Sequence, residues 1–398
     1  MNAFDEELNH RLEALHDQGL RRELRRVDSP PSPRIKIGGK TFLNFSSNDY
    51  LGLANHPVLK EAAIRAVENF GAGAGASRLI CGSLAPFHEL EETLAAFKNT
   101  EAALTFSTGY AAALGTITTL VGKDDIIIVD KLIHACVVDA ARLSGAKLRI
   151  FAHNDLNDLE DILKWAVKPQ TANRKPQILI VTESVFSMDG DTAPLREMVA
   201  LKEKYGAWLM VDEAHATGLY GKNGGGVAEE LGVGDRIEIQ MGTLGKALGA
   251  SGGCICGSRP LIDFLVNRAR SFIFSTAPVP AAAAAATAAI RLIRAGDGKA
   301  HRDKLWQLVE QLNSKLKTQN SKWRSAIIPL LIGDETKAVE LASKLRKQNI
   351  FIPAIRFPTV ARGEARLRVT LTAAHTGRDV AELAAALKTL GVGFQALD

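Results

Sequence analysis

Two stretches of this chain carry side chains suited to one chemistry: WLMVDEAH, with Asp212 and His215, and IEIQMGTLGKALGASGG, with Thr243 and Lys246. A lysine amine condenses with a carbonyl carbon once it is neutral, and desolvation raises the neutral share. Lys246 stands among Gly242, Gly245, Ala247, Gly249, Ala250, Gly252 and Gly253, small neighbours that let a planar ligand approach the backbone. Asp212 is the kind of group that keeps a ring nitrogen protonated, so that the ring accepts electrons from a carbanion. His215 can hydrogen-bond an oxygen on such a ring. Each also has an ordinary reading: Asp212 as a helix cap, His215 as a loop histidine, Lys246 as a solvated surface lysine. Jointly they favour a Schiff-base site in an enzyme.

Bringing them together requires strand ends. Short apolar runs alternate with helical patterns beyond Leu51: ALTF, IIIVD, LRIF, ILIVTE and WLMVDE, then IEIQMGT and GGCICG. Runs apolar on both faces predict strands covered on both sides, and their alternation with helices predicts an α/β fold with a mostly parallel mixed sheet. Ligands in such sheets sit at the carboxyl ends of strands. Leucine spacing predicts a helix from Glu6 to Arg26, and RIKIGGKTFLNF predicts a hairpin. The expected organisation is an N-terminal helix and hairpin over 1–50, a large α/β domain over 51–290 and a smaller α+β domain over 291–398. The apolar run from Ala277 to Ile290 is too short to cross a bilayer and reads as a buried, alanine-rich helix.

Gly109 and Tyr110 follow ALTFST and open the next helix, where backbone N–H groups can cradle a phosphate. His134 begins the helix after IIIVDKLI and can lie flat on a ring; a surface histidine reads equally well there. VDEAH also suits a Walker B strand, but the matching phosphate loop is missing: the residue where its first glycine would fall is Arg34. GAGAGA, Gly71 to Ala76, follows a helical pattern rather than a strand and is a weak dinucleotide signal. A net charge of +5 over 398 residues asks for no polyanion partner, and Arg21, Arg22, Arg25 and Arg26 read as a solvated face rather than a nucleic-acid site. Cys81, Cys136, Cys254 and Cys256 lack the spacing of a metal site and read as buried free thiols. The acidic start MNAFDEELNH does not read as a secretory leader, which points to the cytoplasm.

These residues, in this order, resemble the α-oxoamine synthases among the fold-type I pyridoxal-phosphate enzymes. The resemblance runs to about Leu390 and is carried by LNFSSNDYLGL (Leu43 to Leu53), FAHND (Phe151 to Asp155), VFSMDGDTAPL (Val185 to Leu195), LMVDEAHATG (Leu209 to Gly218), GTLGKALG and ARLRVTLTAAH (Ala365 to His375). It implies pyridoxal 5'-phosphate as cofactor, joined to Lys246, with Asp212 on the ring nitrogen and His134 stacked on the ring as catalytic partners. Ser187 and His215 are implied at the ring oxygen. Gly109, Tyr110 and Thr243 would hold the phosphate, with Ser275 and Thr276 from a partner subunit of a homodimer. Arg356 would clamp the substrate carboxylate, Arg22 and Thr359 the acyl substrate, and Asn48 and His134 line the same site. The chain departs from the family pattern at Phe357 and Ala361, where prolines are usual. The activity implied is decarboxylative condensation of L-alanine with a pimeloyl thioester, on CoA or a carrier protein. Glycine- or serine-using members, of the 2-amino-3-ketobutyrate ligase, 5-aminolevulinate synthase or serine palmitoyltransferase type, are the alternatives. No metal, nucleic acid or membrane is implied.

Overall fold

The computed structural model describes residues 2–168, 175–316 and 324–391. The chain forms two compact units, Asn48–Ser187 with Asp191–Asp303, and Met1–Ser47 with Met188–Gly190 and Lys304–Asp398.

The smaller unit begins with helix Ala3–Asp17, which buries no residue. The leucine spacing predicts a helix to Arg26, but Gly19 adopts φ +65 and the chain from Leu20 to Pro33 has no regular structure. With no apolar face to bury, propensity alone does not extend the helix. The expected hairpin follows as strands β1 (Arg34–Ile37) and β2 (Lys40–Asn44), joined by Gly38 and Gly39, both at positive φ as a two-residue turn requires.

The larger unit holds strands β3 (Ala102–Phe106), β4 (Ile126–Asp130), β5 (Lys147–Phe151), β6 (Ile178–Glu183), β7 (Trp208–Asp212), β8 (Ile239–Thr243) and β9 (Gly253–Gly257) in one sheet of order β3-β9-β8-β7-β6-β4-β5. From β8 to β5 all neighbours are parallel, whereas β9 runs antiparallel to both β3 and β8. Ile126, Ile127 and Ile128 are each wholly buried. Burial of one such side chain is worth about 1.5–3 kcal/mol, so a run apolar on both faces is stable only with helices on each side. Helix Pro280–Arg294, where the alanine-rich run was expected, packs on helices Pro57–Phe70 and Ala85–Lys98.

The remaining strands belong to the smaller unit: β10 (Ile327–Gly333), β11 (Ile350–Phe351), β12 (Ala354–Ile355) and β13 (Ala365–Thr370). They form sheets of order β10-β13-β12 and β1-β2-β11. The pairing of β11 with β2, Ile350 opposite Leu43, makes the N-terminal hairpin part of the C-terminal body rather than a segment apart. The expected break at 290 falls instead at 303, because buried Arg302 donates to Ile293 O and Lys222 O and ties the next helical turns to the larger unit. Cys136, Cys254 and Cys256 are buried as expected, but Cys81 is exposed. No helix among the described residues is long and apolar enough to cross a membrane.

Candidate active site

The carboxyl ends of β6, β7 and β8 lie side by side in the larger unit, with Glu183 opposite Asp212 and Asp212 opposite Met241. The strands therefore deliver Glu183, Asp212 and Thr243 to one sheet edge, and the loop after β8 returns Lys246 to it. Lys246 Nζ lies 2.8 Å from His215 Nε2, and His215 Nδ1 lies 2.5 Å from the hydroxyl of Tyr50. A lysine that donates to Nε2 leaves the ring proton on Nδ1, which then donates to the Tyr50 oxygen. The Tyr50 hydroxyl in turn donates to Asn48 Oδ1 at 3.4 Å. His215 and Tyr50 are buried, so this chain holds Lys246 from behind.

Asp212 is also buried, and its Oδ1 accepts the Ala214 amide at 2.8 Å. Burial pushes its carboxyl above the usual range, while the nearby Lys246 charge and the Ala214 amide pull it down. A cationic ring nitrogen would favour the carboxylate further. His134 caps helix Ala135–Ser144, its Nδ1 accepting the Cys136 amide at 3.3 Å. Desolvation lowers its pKa against the opposing pull of Asp212, so the ring is neutral at physiological pH.

Glu183 was not foreseen from the sequence, although it ends ILIVTE as Asp212 ends WLMVD. Its Oε2 accepts the Ser187 amide at 3.2 Å, and the His134 backbone also hydrogen-bonds its carboxyl. Burial first, and then the Asp212 charge, push it up to about 8, which leaves it protonated at neutral pH. Tyr50 was likewise missed, though it lies within the family-like segment LNFSSNDYLGL.

A phosphate-bearing ring fits the opening of helix Gly109–Leu120. Thr108 caps that helix by accepting the Ala111 amide, so the Gly109 and Tyr110 amides begin it with no partner inside the helix. A β-carbon on Gly109 would come within 2.6 Å of Thr243 Cγ2, which brings the helix start and the end of β8 together. Thr243 Oγ1 is buried and has no partner among the described residues. A buried hydroxyl without a partner is costly, and a ligand oxygen would satisfy it. The Tyr110 side chain points elsewhere, donating to Asp139 Oδ2 at 2.7 Å, so only its amide is left to hold a phosphate.

Ser275 and Thr276 follow the short helix Arg270–Ile273, where Thr276 bridges Ser77. In the smaller unit Arg22 Nη2 reaches Thr359 Oγ1 at 3.5 Å, and Arg356 Nη2 donates to Arg21 O at 3.1 Å. The proposed acyl contacts thus meet each other within that unit. Among the described residues no group of three or more histidines, cysteines or carboxylates could hold a metal ion.

Residues 40–387 match the model of the aminotransferase class I and II family. A protein of Thermoanaerobacter pseudethanolicus named 8-amino-7-oxononanoate synthase is 46% identical over 384 residues, covering 96% of this chain and 95% of its own length. Among solved structures, serine palmitoyltransferase from S. paucimobilis, with bound PLP, matches with a TM-score of 0.88 at 31% identity, over 98% of this chain and 100% of that one. The 8-amino-7-oxononanoate synthase of Francisella tularensis matches with a TM-score of 0.73 at 29% identity, over 88% of this chain and 98% of that one.

Proposed function

The chain belongs to the aminotransferase class I and II family, where its relatives include 8-amino-7-oxononanoate synthases, and from that premise we propose that it condenses L-alanine with a pimeloyl thioester. The thiol of CoA or of a carrier protein leaves, carbon dioxide is lost, and the product is 8-amino-7-oxononanoate for biotin synthesis. Curated relatives at 42–46% identity over nearly the whole chain carry the name 8-amino-7-oxononanoate synthase, which supports this over the serine reading.

The observation that carries the proposal is the Lys246 amine held 2.8 Å from His215 on the sheet edge that also bears Asp212. Pyridoxal phosphate, when bound, supplies an electron sink for the carbanion left by loss of an α-proton. Lys246 would tether it and, once released, take that α-proton as general base. Asp212 would keep the ring nitrogen protonated, and His134 would cover one ring face as a neutral imidazole. Ser187 and His215 would contact the ring oxygen. The Gly109 and Tyr110 amides and the Thr243 hydroxyl would hold the phosphate. Arg356 suits the substrate carboxylate because its guanidinium binds two oxygens at once; Arg22, Thr359 and Asn48 would meet the acyl substrate.

A homodimer would complete the site with Ser275 and Thr276 of the partner subunit. Leu79, Ile80, Phe274 and Val279 support it: all four are exposed, Ile80 at 78%, and the Ser77 to Thr276 bridge joins the segments that carry them. Isolated exposed apolar residues are ordinary, but such a group marks an interface.

Borohydride reduction of the holoenzyme followed by peptide mapping tests cofactor and attachment together, and the label is expected on Lys246 alone. Turnover retained in purified Lys246→Ala protein would overturn the assignment. Product formation with alanine but not glycine or serine tests the amino-acid choice.

A further inference from the structure

The segment FAHND carries part of the family likeness, yet none of its residues has a place in the candidate site. His153 and Asn154 follow β5 in the larger unit, at the same sheet edge where β4 ends in Asp130. His153 is held between two carboxylates: its Nδ1 donates to Asp130 Oδ1 at 2.9 Å and its Nε2 to Asp191 Oδ2 at 2.7 Å. Only the protonated ring can donate through both nitrogens. Burial would take that proton away, but the hydrogen bonds to the two aspartates lift the pKa to about 10, so the imidazolium persists at neutral pH. Asn154 sits at φ +55, a conformation asparagine tolerates better than most residues. It reaches the same two aspartates, its amide donating to Asp130 Oδ2 at 2.9 Å and its Nδ2 to Asp191 Oδ2 at 2.9 Å.

Each aspartate also fixes a loop that bears a residue assigned to the ring. Asp130, wholly buried, accepts the Leu132 amide at 2.8 Å through Oδ1 and the Ile133 amide at 3.1 Å through its backbone oxygen, and these two residues lead into His134. Asp191 accepts the Phe186 amide at 3.0 Å through its backbone oxygen, and Val185 bridges Thr192, so this strip of chain backs the segment that ends in Ser187. The buried Phe186 ring stands edge-on to His153, centroids 4.4 Å apart. Asp191 Oδ1 is buried without a partner among the described residues, which leaves Oδ2 to hold the link.

We propose that His153, with Asn154, is a positioning residue that ties the His134 loop to the Ser187 loop and so fixes the spacing of those two contacts about the cofactor ring. The inference rests on the ring contacts assigned under the proposed function and deepens them by naming what holds them in register. Charge-assisted hydrogen bonds are shorter and stronger than neutral ones, so one imidazolium between two anions makes a stiff link that an uncharged side chain does not. Stiffness matters here because displacing a positioned group by about 1 Å can cost about a hundredfold in rate.

The test compares the wild type with His153→Gln, which removes the charge while keeping a polar side chain, and with Asp191→Asn. In cofactor-free protein, hydrogen–deuterium exchange over 131–137 and over 184–193 is expected to rise together in both variants, by about tenfold, while exchange over β7 stays unchanged. In holoenzyme the cofactor absorption band is expected to shift, and kcat to fall about tenfold with KM for pimeloyl-CoA within about twofold. The double variant should lose little more than either single one, because both break the same link. Unchanged exchange and band in both variants overturn the proposal, as does exchange that rises over one loop only. A lowered thermal midpoint with band and kcat unchanged also overturns it, since that is the mark of an ion pair that only stabilises. If His153→Gln does not fold, Asp191→Asn carries the test on the same readouts. Joint loosening of the two loops in an enzyme that makes no product from alanine leaves the link standing and sinks the activity instead.

Discussion

Asp212 and Glu183 are neighbours on adjacent strands, both buried, and burial pushes both carboxyls up. Against that burial, both have the Lys246 charge and backbone amides that favour the anion, Ala214 for Asp212, and His134 and Ser187 for Glu183. Glu183 faces the Asp212 charge with one oxygen, Oε1, unpartnered among the described residues. Replacing Asp212 by Asn should leave the cofactor bound, as seen in its absorbance, and lower kcat by roughly 10²-fold or more through loss of the ring-nitrogen partner. Undiminished kcat would remove Asp212 from that role. Glu183 has a second readout. Its folded pKa, about 8, lies above the unfolded value of 4.5, so between those values the native state keeps a proton that the unfolded chain has lost. Its contribution to stability is therefore complete below pH 4.5 and declines as pH rises through about 8. Urea unfolding of cofactor-free protein at about pH 5 and about pH 8 should show a smaller loss in Glu183→Gln than in the wild type. His153 adds in the same direction: burial would lower its pKa, but hydrogen bonds to Asp130 and Asp191 lift it to about 10, so its share is lost as pH rises from 6.5 toward 10.

At the scale of elements, the start of helix Gly109–Leu120 does what no single side chain can, since it presents two amides and a helix dipole to one anion. Gly109→Ala drives a β-carbon to within 2.6 Å of Thr243 Cγ2 and separates helix from strand. The affinity of apoenzyme for pyridoxal phosphate is expected to drop about tenfold, followed by absorbance titration. Equal affinity would mean the phosphate is held elsewhere. These elements were readable in the sequence because strands buried on both faces leave unbroken apolar runs such as IIIVD, and because polar residues stand where the runs stop. Glu183 could have been found by the same rule. The helix expected to Arg26 was not readable to its end: Gly19 and the absence of any buried face stop it at Asp17, and leucine spacing is silent on whether a face has something to pack on. The partnership of β2 with β11 was hidden for a different reason, since a two-residue parallel pairing across some three hundred residues leaves no local periodicity.

For the whole molecule, the dimer proposal predicts that Ile80→Asp combined with Phe274→Glu gives monomers in sedimentation velocity and loosens the cofactor, because the partner's contribution to the phosphate site goes with the interface. A dimeric double variant would reject that face. Oligomeric state leaves little trace in a sequence: an exposed leucine and a buried one are spelled alike, and only the bridge between Ser77 and Thr276 gathers these residues into a patch. Lys98 is a further case of meaning that appears only on folding. Buried and formally cationic, it gives its ammonium to Glu213 Oε2 at 2.9 Å, Thr217 Oγ1 at 2.9 Å and Gly225 O at 2.5 Å. Removing one partner of such a pair costs about 3–5 kcal/mol, whereas replacing both by apolar residues is close to neutral. In descent, then, neither position is free to drift alone. Glu213 is the next residue after Asp212, so a lysine on a distant helix constrains which ancestors could have altered the loop beside the proposed ring-nitrogen partner, and in what order.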